Sequence, residues 1–481
     1  MSQTVQQSPA ALMPAYNPIV TILTSSNQTE EGFQFICDLY PTGSSTRISR
    51  EKTPQNPAGY GVFDSHSILK SYVSYDINPT LTGITAAPNS RYKYDLKLGE
   101  EYKYYWPFVD NMNPSGVGGR VGFSGNTPHG FVVGDRVVIA QSGSPTFPEY
   151  DGVQTVWSAS TNFFIIDYDS QGSTPLNPGT AVYADGRKTV FSGLTNYTGL
   201  TVNNAAFSHL DWRTYNVADW NVTGSSKSFF TDAPSGYEMQ LTNKAWLMAY
   251  CSNTSLVRGI VVTTYNQANT ILGVYGLVTS AQTDTYLMTG VGPWNITNAA
   301  FTASTGSLPV FDDEVAYYTI YLKDISANQI SEAQRFNVNQ ECSKYNNIEL
   351  VFMDRKGSFL TRNFQLASRQ SVDIKKQEFR KPYGDVIGGA SWGYNTYDRG
   401  RTVFNVDISR SYKATSNWMT ETDAAYLEQL WSSPEVYMND NGTLLPVIVK
   451  NTTFDVKTTI NDKLINYTVD FELSYGDIVQ G

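Results

Sequence analysis

The stretch EQLWSSPEVYMNDNGTLLPVIVK (residues 428–450) contains a helix end, a strand, a tight turn and a second strand. Residues 428–431 close an apolar stripe at helical spacing, and Pro434 ends the helix because proline lacks an amide hydrogen. The Asn-Asp-Asn-Gly sequence at 439–442 predicts a hairpin turn between two runs of alternating residues. The stretch therefore predicts a helix followed by a β-hairpin, and nothing in it indicates catalysis.

The residues on both sides extend this prediction. Thr420 and Asp423 form a capping box that starts the helix. The runs TTFDVKTTI (452–460) and LINYTVDFELSY (464–475) alternate regularly and predict strands inside a sheet. The side chains expected to form the buried stripe of the helix are Ala424, Leu427, Leu430 and Trp431.

The composition indicates a β-rich protein with an acidic charge balance. Only 16% of the 481 residues are charged and 13% are aromatic, with 32 Tyr, and such side chains pack well on a pleated surface. The formal net charge is −10 and no block of bases occurs along the chain. Because nucleic-acid-binding proteins carry a positive footprint, we expect no direct recognition of nucleic acid.

The cysteines and the N-terminus indicate folding in a reducing cytoplasm. Cys37, Cys251 and Cys342 are an odd number and lie far apart, which argues against a disulfide scaffold or a zinc site. The N-terminal sequence lacks the basic region and apolar core of a signal peptide. No apolar run is long enough to cross a bilayer, so we expect no membrane partner.

Turn signals and changes of composition divide the chain into five predicted parts. The fold class is expected to be mainly β: several antiparallel β-sandwich or barrel units with few short helices, and an α+β C-terminal unit. NPIVTILTSS and GFQFICDLYP predict a hairpin early in the second part. The parts are a flexible arm (1–14), an N-terminal β domain (15–110), an inserted small β-barrel module (111–187), an immunoglobulin-like β-sandwich (188–338) and a C-terminal α+β assembly domain (339–481).

The sequence predicts no catalytic residue, no cofactor-binding residue and no metal ligand. His66, His129 and His209 have no second ligand at metal-binding spacing. The glycines at 116–119 lack the strand, lysine and helix of a phosphate loop. The acidic run 312–314 lacks the 12-residue pattern of a calcium loop. A glycosidase-type carboxylate pair meets only in space, so the sequence neither identifies nor excludes one.

Two aromatic clusters have two possible roles. EYKYYWPF (101–108) and SWGYNTY (391–397) could stack on sugar rings at a receptor-binding face. Alternatively, their Tyr and Trp side chains fill cores and subunit interfaces, where a large apolar body with a polar tip is useful. We favour the second interpretation for both clusters.

Several stretches resemble virion proteins of tailed bacteriophages that infect Bacteroidetes, including crAss-like phages. They are YNPIVTIL, GFQFICDLY and GVFDSHSILKSYV near the start, KSFFTDAPSGYEMQLTNKAWLMAY in the middle, and TSNWMTETDAAYLEQLWSSPEVYM with LLPVIVKNTTFDVKTTINDKLINYTVDFELSY at the end. In addition, GFVVGDRVVIAQ, YDGVQTVWS and NFFIID resemble a small β-barrel module of phage tail proteins.

The resemblance implies a structural subunit of the tail, baseplate or neck, assembled in the bacterial cytoplasm and located in the virion. Its partners would be copies of itself, arranged as a ring, and other tail or neck proteins. It supplies no catalytic residues, and we do not expect an enzyme. The alternatives are a receptor- or glycan-binding tail module and, third, a tail-associated depolymerase.

Overall fold

The computed structural model is 48% strand and 8% helix, which confirms the prediction of a mainly β fold with few short helices. The chain divides into two compact units: residues 1–13, 18–70 and 93–202 form unit 1, and 14–17, 71–92 and 203–481 form unit 2. The structure describes residues 3–103, 105–112, 120–140, 152–169, 179–183, 188–253, 256–303, 311–341, 343–382, 384–387, 389, 391–397, 400–451, 453–454 and 465–480.

Strands dominate the first part of the chain. A short helix, α1 (His66–Leu69), continues into a 3₁₀ turn, Lys70–Tyr72. The strands in this part are β1 (Gln3–Gln7), β2 (Leu12–Pro14), β3 (Val20–Ser25), β4 (Gln34–Pro41), β5 (Ser49–Thr53), β6 (Gly61–Asp64), β7 (Ile84–Ala86), β8 (Arg91–Tyr102), β9 (Trp106–Phe108), β10 (Asp110–Met112), β11 (Arg120–Ser124), β12 (Arg136–Ala140), β13 (Gly152–Ala159), β14 (Phe163–Asp169), β15 (Gly179–Tyr183) and β16 (Lys188–Asn203).

The second part of the chain has the same character. Its helices are α2 (His209–Trp212), α3 (Val217–Trp220), α4 (Pro293–Thr297) and α5 (Glu421–Ser432). Its strands are β17 (Tyr237–Met239), β18 (Trp246–Tyr250), β19 (Gly259–Tyr265), β20 (Ile271–Val278), β21 (Tyr286–Gly290), β22 (Thr302–Ala303), β23 (Tyr317–Lys323), β24 (Gln334–Val338), β25 (Ile348–Met353), β26 (Phe359–Phe364), β27 (Arg369–Arg380), β28 (Asp385–Ile387), β29 (Ser391–Gly393), β30 (Arg401–Thr415), β31 (Val436–Asp440), β32 (Thr443–Val449), β33 (Thr468–Leu473) and β34 (Asp477–Gln480).

Two sheets of unit 1 have the orders β1-β3-β6 and β2-β16-β8-β4-β5. The predicted hairpin of β3 and β4 is wrong, because β3 pairs with β1 and β6 whereas β4 pairs with β5 and β8. The two sheets approach each other closely at Gly61, where an added Cβ would lie 2.3 Å from the ring of Phe35. Alternation predicts each strand, but it does not show which strands become neighbours.

The N-terminal segment that the sequence predicts to be a flexible arm contributes to both of these sheets. β1 pairs antiparallel with β3, with Gln3 opposite Ser25. β2 is the edge strand beside β16, and Leu12 and Met13 are buried there. The polarity of this segment reflects the largely exposed side chains of edge strand β1 rather than a lack of ordered contacts.

A third sheet of unit 1 has the order β10-β11-β14-β13-β12-β15-β9. Its strands span residues 106–183, so it includes a strand that precedes the predicted module boundary at 111. The indole nitrogen of Trp106 donates to the carbonyl of Thr127 at 2.7 Å. The sheet has a core of its own, formed by Trp106, Val121, Phe123, Phe131, Val137, Ile139, Val156, Phe164, Ile166 and Ala181.

Unit 2 contains a six-stranded sheet, β17-β24-β23-β19-β20-β22, and an eleven-stranded sheet, β27-β30-β33-β32-β31-β25-β26-β18-β21-β7, in which β34 also pairs with β30. A single apolar core runs from Val222 to Phe471. The predicted boundary at 338 therefore falls inside one core, because β18 and β21 from the predicted sandwich lie in the same sheet as β25 and β26.

The structure confirms the predicted C-terminal helix and hairpin. The hydroxyl of Thr420 accepts a hydrogen bond from the backbone amide of Asp423 at 3.2 Å, which caps α5. β31 and β32 form the hairpin, and Asn441 and Gly442 adopt φ angles of 50° and 92°, as a type I′ turn requires. Ala424, Leu427 and Leu430 are buried as predicted, whereas Trp431 is only half-buried. Most of the predicted strand at 452–460 lies outside the described residues.

Candidate assembly surface

The three histidines lie in separate places. Nδ1 of His66 is 3.0 Å from a carboxylate oxygen of Asp64. His129 lies in a loop and is buried in the core of the third sheet, where its Nδ1 accepts from the amide of Phe131 at 2.8 Å. His209 is exposed at the start of α2. Among the residues that the structure describes, no three His, Cys, Asp or Glu side chains are grouped as metal ligands.

Where the structure describes them, the other acidic and cysteine candidates are not grouped as metal ligands. The acidic run 312–314 is exposed in the loop before β23, and within it the amide of Glu314 donates to the carboxylate of Asp312 at 3.1 Å. Cys37 and Cys251 are buried thiols. The glycines at 116–119 and Cys342 lie outside the described residues.

Asp354, at the turn between β25 and β26, is a buried carboxylate that no sequence signal marked as a candidate. One of its oxygens accepts from the backbone amides of Lys356 at 3.0 Å and Ser358 at 2.9 Å. The other accepts from the hydroxyl of Thr231 at 2.7 Å and the amide of Asp232 at 3.2 Å. A turn-forming Asp is a common sequence feature, so only burial in the folded chain distinguishes this one.

Burial, followed by the nearby charge of Asp232, raises the pKa of Asp354 to about 7. The ammonium of Lys356 lies 2.7 Å from the carboxylate of Asp232. A cavity of about 300 Å³ adjoins the turn. A perturbed carboxylate beside a cavity is a general sign of a functional site, but each oxygen of Asp354 already accepts two hydrogen bonds. The geometry therefore supports a role in holding the turn.

The most unusual surface of unit 2 is a long β-ribbon, formed by β27 and the part of β30 that pairs with it. The register runs from Arg369 opposite Lys413 to Arg380 opposite Arg401. Every residue of β27 is exposed. Twelve strand residues span about 35 Å, and β27 is the last strand of its sheet. The ribbon thus presents a long strand edge and an uncovered sheet face.

Apolar side chains are exposed along this ribbon. Val372 and Ile374 are about half exposed, and Ile374 lies opposite Ile408 in the register. Beyond a register shift after Gln377, the rings of Phe379 and Phe404 are 6.0 Å apart. Exposed apolar side chains grouped along one element indicate an interaction surface.

The tip of the ribbon carries one of the two predicted aromatic clusters. β28 and β29 form a short hairpin there, with Val386 opposite Trp392. Trp392 is 60% exposed, Tyr394 64% and Tyr397 77%. In the other cluster, 101–108, Trp106 is fully buried in the core of the third sheet. Trp106 therefore fills a core as predicted, whereas the side chains of 391–397 lie outside the core and are available for contact with another molecule, such as a neighbouring subunit or a sugar.

The ribbon is basic in a chain that is acidic. Residues 369–382 and 400–415 contain eight Lys or Arg and three Asp or Glu, a net charge of +5 against −10 for the whole chain. The bases come from two strands separated along the sequence, so no run of bases marks the ribbon before pairing brings them together.

Comparisons with known proteins do not identify this chain. No protein-family profile matches it, and no curated protein matches it. Among solved structures, the full extracellular region of plexin A4, domains 1 to 10, aligns over 74% of this chain and 42% of that chain, at 8% identity and a TM-score of 0.13. A similarity this weak supports no conclusion. Within the described residues, no helix has the length and apolarity needed to cross a membrane.

Proposed function

We propose that this chain is a structural component of a tailed-bacteriophage virion, in the tail, baseplate or neck, which assembles as a ring with copies of itself and with other virion proteins. The observation that supports the proposal most is the exposed β-ribbon with its aromatic tip. A long strand edge and exposed apolar side chains favour pairing with another chain. The phage resemblance of the sequence supports the virion as the place of assembly.

The ribbon can be shortened without touching the apolar core of unit 2. Replacing residues 374–408 by an Asn-Gly turn would join Asp373 to Ser409, which lie opposite each other in the register. We expect the wild-type chain to form closed rings in light scattering and negative-stain images, and the shortened chain to remain folded but monomeric. A wild-type chain that stays monomeric at all concentrations would contradict self-assembly. Antibody labelling of virions tests the location, and absence of label would contradict it.

A second candidate function is receptor or glycan binding, favoured by the exposure of the aromatic tip. Aromatic faces on an exposed hairpin suit stacking on sugar rings. If the tip binds glycans, replacing Trp392, Tyr394 and Tyr397 with alanine should abolish binding on a glycan array while leaving ring formation intact. Loss of ring formation with no glycan signal from the wild type would favour the structural role.

A further inference from the structure

Two adjoining cavities of about 760 and 620 Å³ form an acidic groove on unit 2. They share Gln267, Val338 and Gln340 as lining residues. The charged side chains that line them are Glu238, Asp313, Glu314, Glu341 and Lys344. The groove lining therefore carries a net charge of −3, the sign opposite to that of the ribbon.

Hydrogen bonds fix the backbone that carries these acids. The side-chain amide of Asn339 donates to Glu238 at 2.9 Å, and its oxygen accepts from the amide of Glu341 at 2.8 Å. The side chain of Gln340 donates to the carbonyl of Val315 at 3.4 Å. Asp313, Glu314 and Glu341 remain exposed. The groove is thus a formed surface with accessible carboxylates.

The groove lies beside the base of the ribbon. Its lining includes Gln365 and Leu366, which precede β27, and Asn417 and Trp418, which follow β30. No residue between 369 and 415 lines either cavity among the described residues. A ribbon about 35 Å long that starts at the groove carries its far end away from it. The far end is therefore free to meet the groove of another copy.

The far half of the ribbon carries a net positive charge, opposite to that of the groove. Among the described residues, five exposed bases and three acids lie in this half, a net charge of +2. The bases are Lys375, Lys376, Arg380, Lys381 and Arg401, and the acids are Glu378, Asp385 and Asp407. Opposite charges on two surfaces of one chain suit attraction between copies, and they also fix the register of docking.

Building on the proposed self-assembly, we propose that the basic far half of the ribbon of one copy docks into the acidic groove of the next copy. Because the two surfaces differ, this contact is head-to-tail, the type that closes into a ring when the rotation per subunit fits. The exposed rings of Tyr345 and Trp418 at the groove give the aliphatic parts of the ribbon lysines and arginines an apolar contact.

Charge reversal on the two surfaces tests the proposal. The ribbon variant carries Lys375→Glu, Lys376→Glu and Arg380→Glu; the groove variant carries Asp313→Lys, Glu314→Lys and Glu341→Lys. All six positions are exposed, so thermal unfolding should match that of the wild type at concentrations too low for assembly. Each variant alone should associate at least about tenfold more weakly than the wild type, because like charges now face each other.

The acidic ribbon of one variant and the basic groove of the other again have opposite charges, so the two variants together should recover assembly. Mixing the two variants should restore assembly with alternating copies, and a chain that carries all six substitutions should assemble alone. Wild-type assembly should weaken as ionic strength rises, because salt screens exposed charges. Light scattering and negative-stain images at fixed concentration give the assembly state in each case.

The remaining outcomes separate this inference from the proposed function. A wild-type chain that is always monomeric overturns both. If the wild type assembles but the groove variant does so equally well, the ribbon has another partner surface and the inference fails. Failure of the mixture to assemble also overturns it. Disassembly of the wild type by nuclease, with an excess of absorbance at 260 nm, would show that nucleic acid occupies the ribbon instead.

Discussion

The β25–β26 hairpin and the β27–β30 ribbon follow each other in the chain and lie in one sheet, yet their environments are opposite. In the hairpin, eleven of twelve strand residues are buried. In β27, all twelve are exposed. Backbone pairing is antiparallel in both. The difference shows that strand pairing alone does not decide burial: the hairpin has other elements packed over it, and the ribbon does not.

The cover over the hairpin comes from α5 and from the apolar core of unit 2. The ring of Phe352 on β25 lies 5.7 Å from that of Tyr426 on α5. Leu350 and Leu360 belong to the same core cluster as Leu427 and Leu430. This packing makes the hairpin part of the stable core and leaves the ribbon available for association.

The largest effect is expected from truncating a phenylalanine in the core, and the same truncation on the ribbon is its comparison. Phe352→Ala should lower the free energy of unfolding by about 3–5 kcal/mol, because it leaves a cavity at a fully buried position. Phe379→Ala, at an exposed ribbon position, should change it by no more than about 0.5 kcal/mol. Urea unfolding measures both losses in the background of the groove variant, in which we expect association to be weakened. Equal losses of unfolding free energy at the two positions would contradict the contrast between a buried hairpin and an exposed ribbon.

The next effect concerns pH and the turn of the buried hairpin. The pKa of Asp354 is raised to about 7 in the folded chain, chiefly by burial, whereas an unfolded Asp titrates near about 3.9. The folded state binds this proton more tightly, so the free energy of unfolding should fall as pH rises from about 4 to about 7 and then level off. At about 1.4 kcal/mol per unit, the loss is on the order of 2–4 kcal/mol.

Asp354→Asn should remove that part of the pH dependence while keeping an acceptor oxygen for the turn. Thermal unfolding of both proteins at several pH values from 4 to 8 gives the comparison. The plots of stability against pH for the two proteins should become parallel toward low pH. Their slopes should differ most between pH 5 and 7. An unchanged slope in the variant would show that Asp354 does not titrate in this range.

Local features could be predicted from the sequence because they depend on residues close together in the chain. Thr420 and Asp423 specify a helix start, and Asn441-Gly442 specifies a type I′ turn. In each case the physical signal lies within a few residues of the element that it predicts.

Features that depend on distant pairing could not be predicted in the same way. The partners of β3 are β1 and β6 rather than β4, and no run of apolar residues predicts the ribbon strand β27. The basic surface and the acidic groove each collect residues from separate segments, for example Glu238 with Glu341. The burial of Asp354 likewise follows from the packing around its turn. Only the folded chain brings these groups together.

A smaller effect tests the helix that covers the hairpin. Thr420→Ala removes the hydroxyl that accepts from the amide of Asp423, and an N-cap of this kind contributes about 1 kcal/mol. Because α5 packs on β25, the loss should appear in the global unfolding of unit 2. Thr420→Ser keeps the hydroxyl and serves as the control. A loss with serine equal to that with alanine would exclude capping as the cause.

The smallest effect should come from the ion pair on the ribbon. Arg401 and Glu378 are 2.5 Å apart, with 71% and 38% of their side chains exposed. Water and salt screen such a pair, and holding two long side chains in place costs entropy, so Glu378→Gln should change the free energy of unfolding by no more than about 0.5 kcal/mol. The matched control is the pair of Arg91 and Asp284, whose side chains are 17% and 11% exposed. Asp284→Asn leaves a mostly buried guanidinium without its counter-charge and should cost about 3 kcal/mol or more. If the ribbon substitution cost as much as the buried one in urea unfolding of the monomer, the ribbon would be part of the stable core, and its proposed role as a surface for the next copy would have to be abandoned.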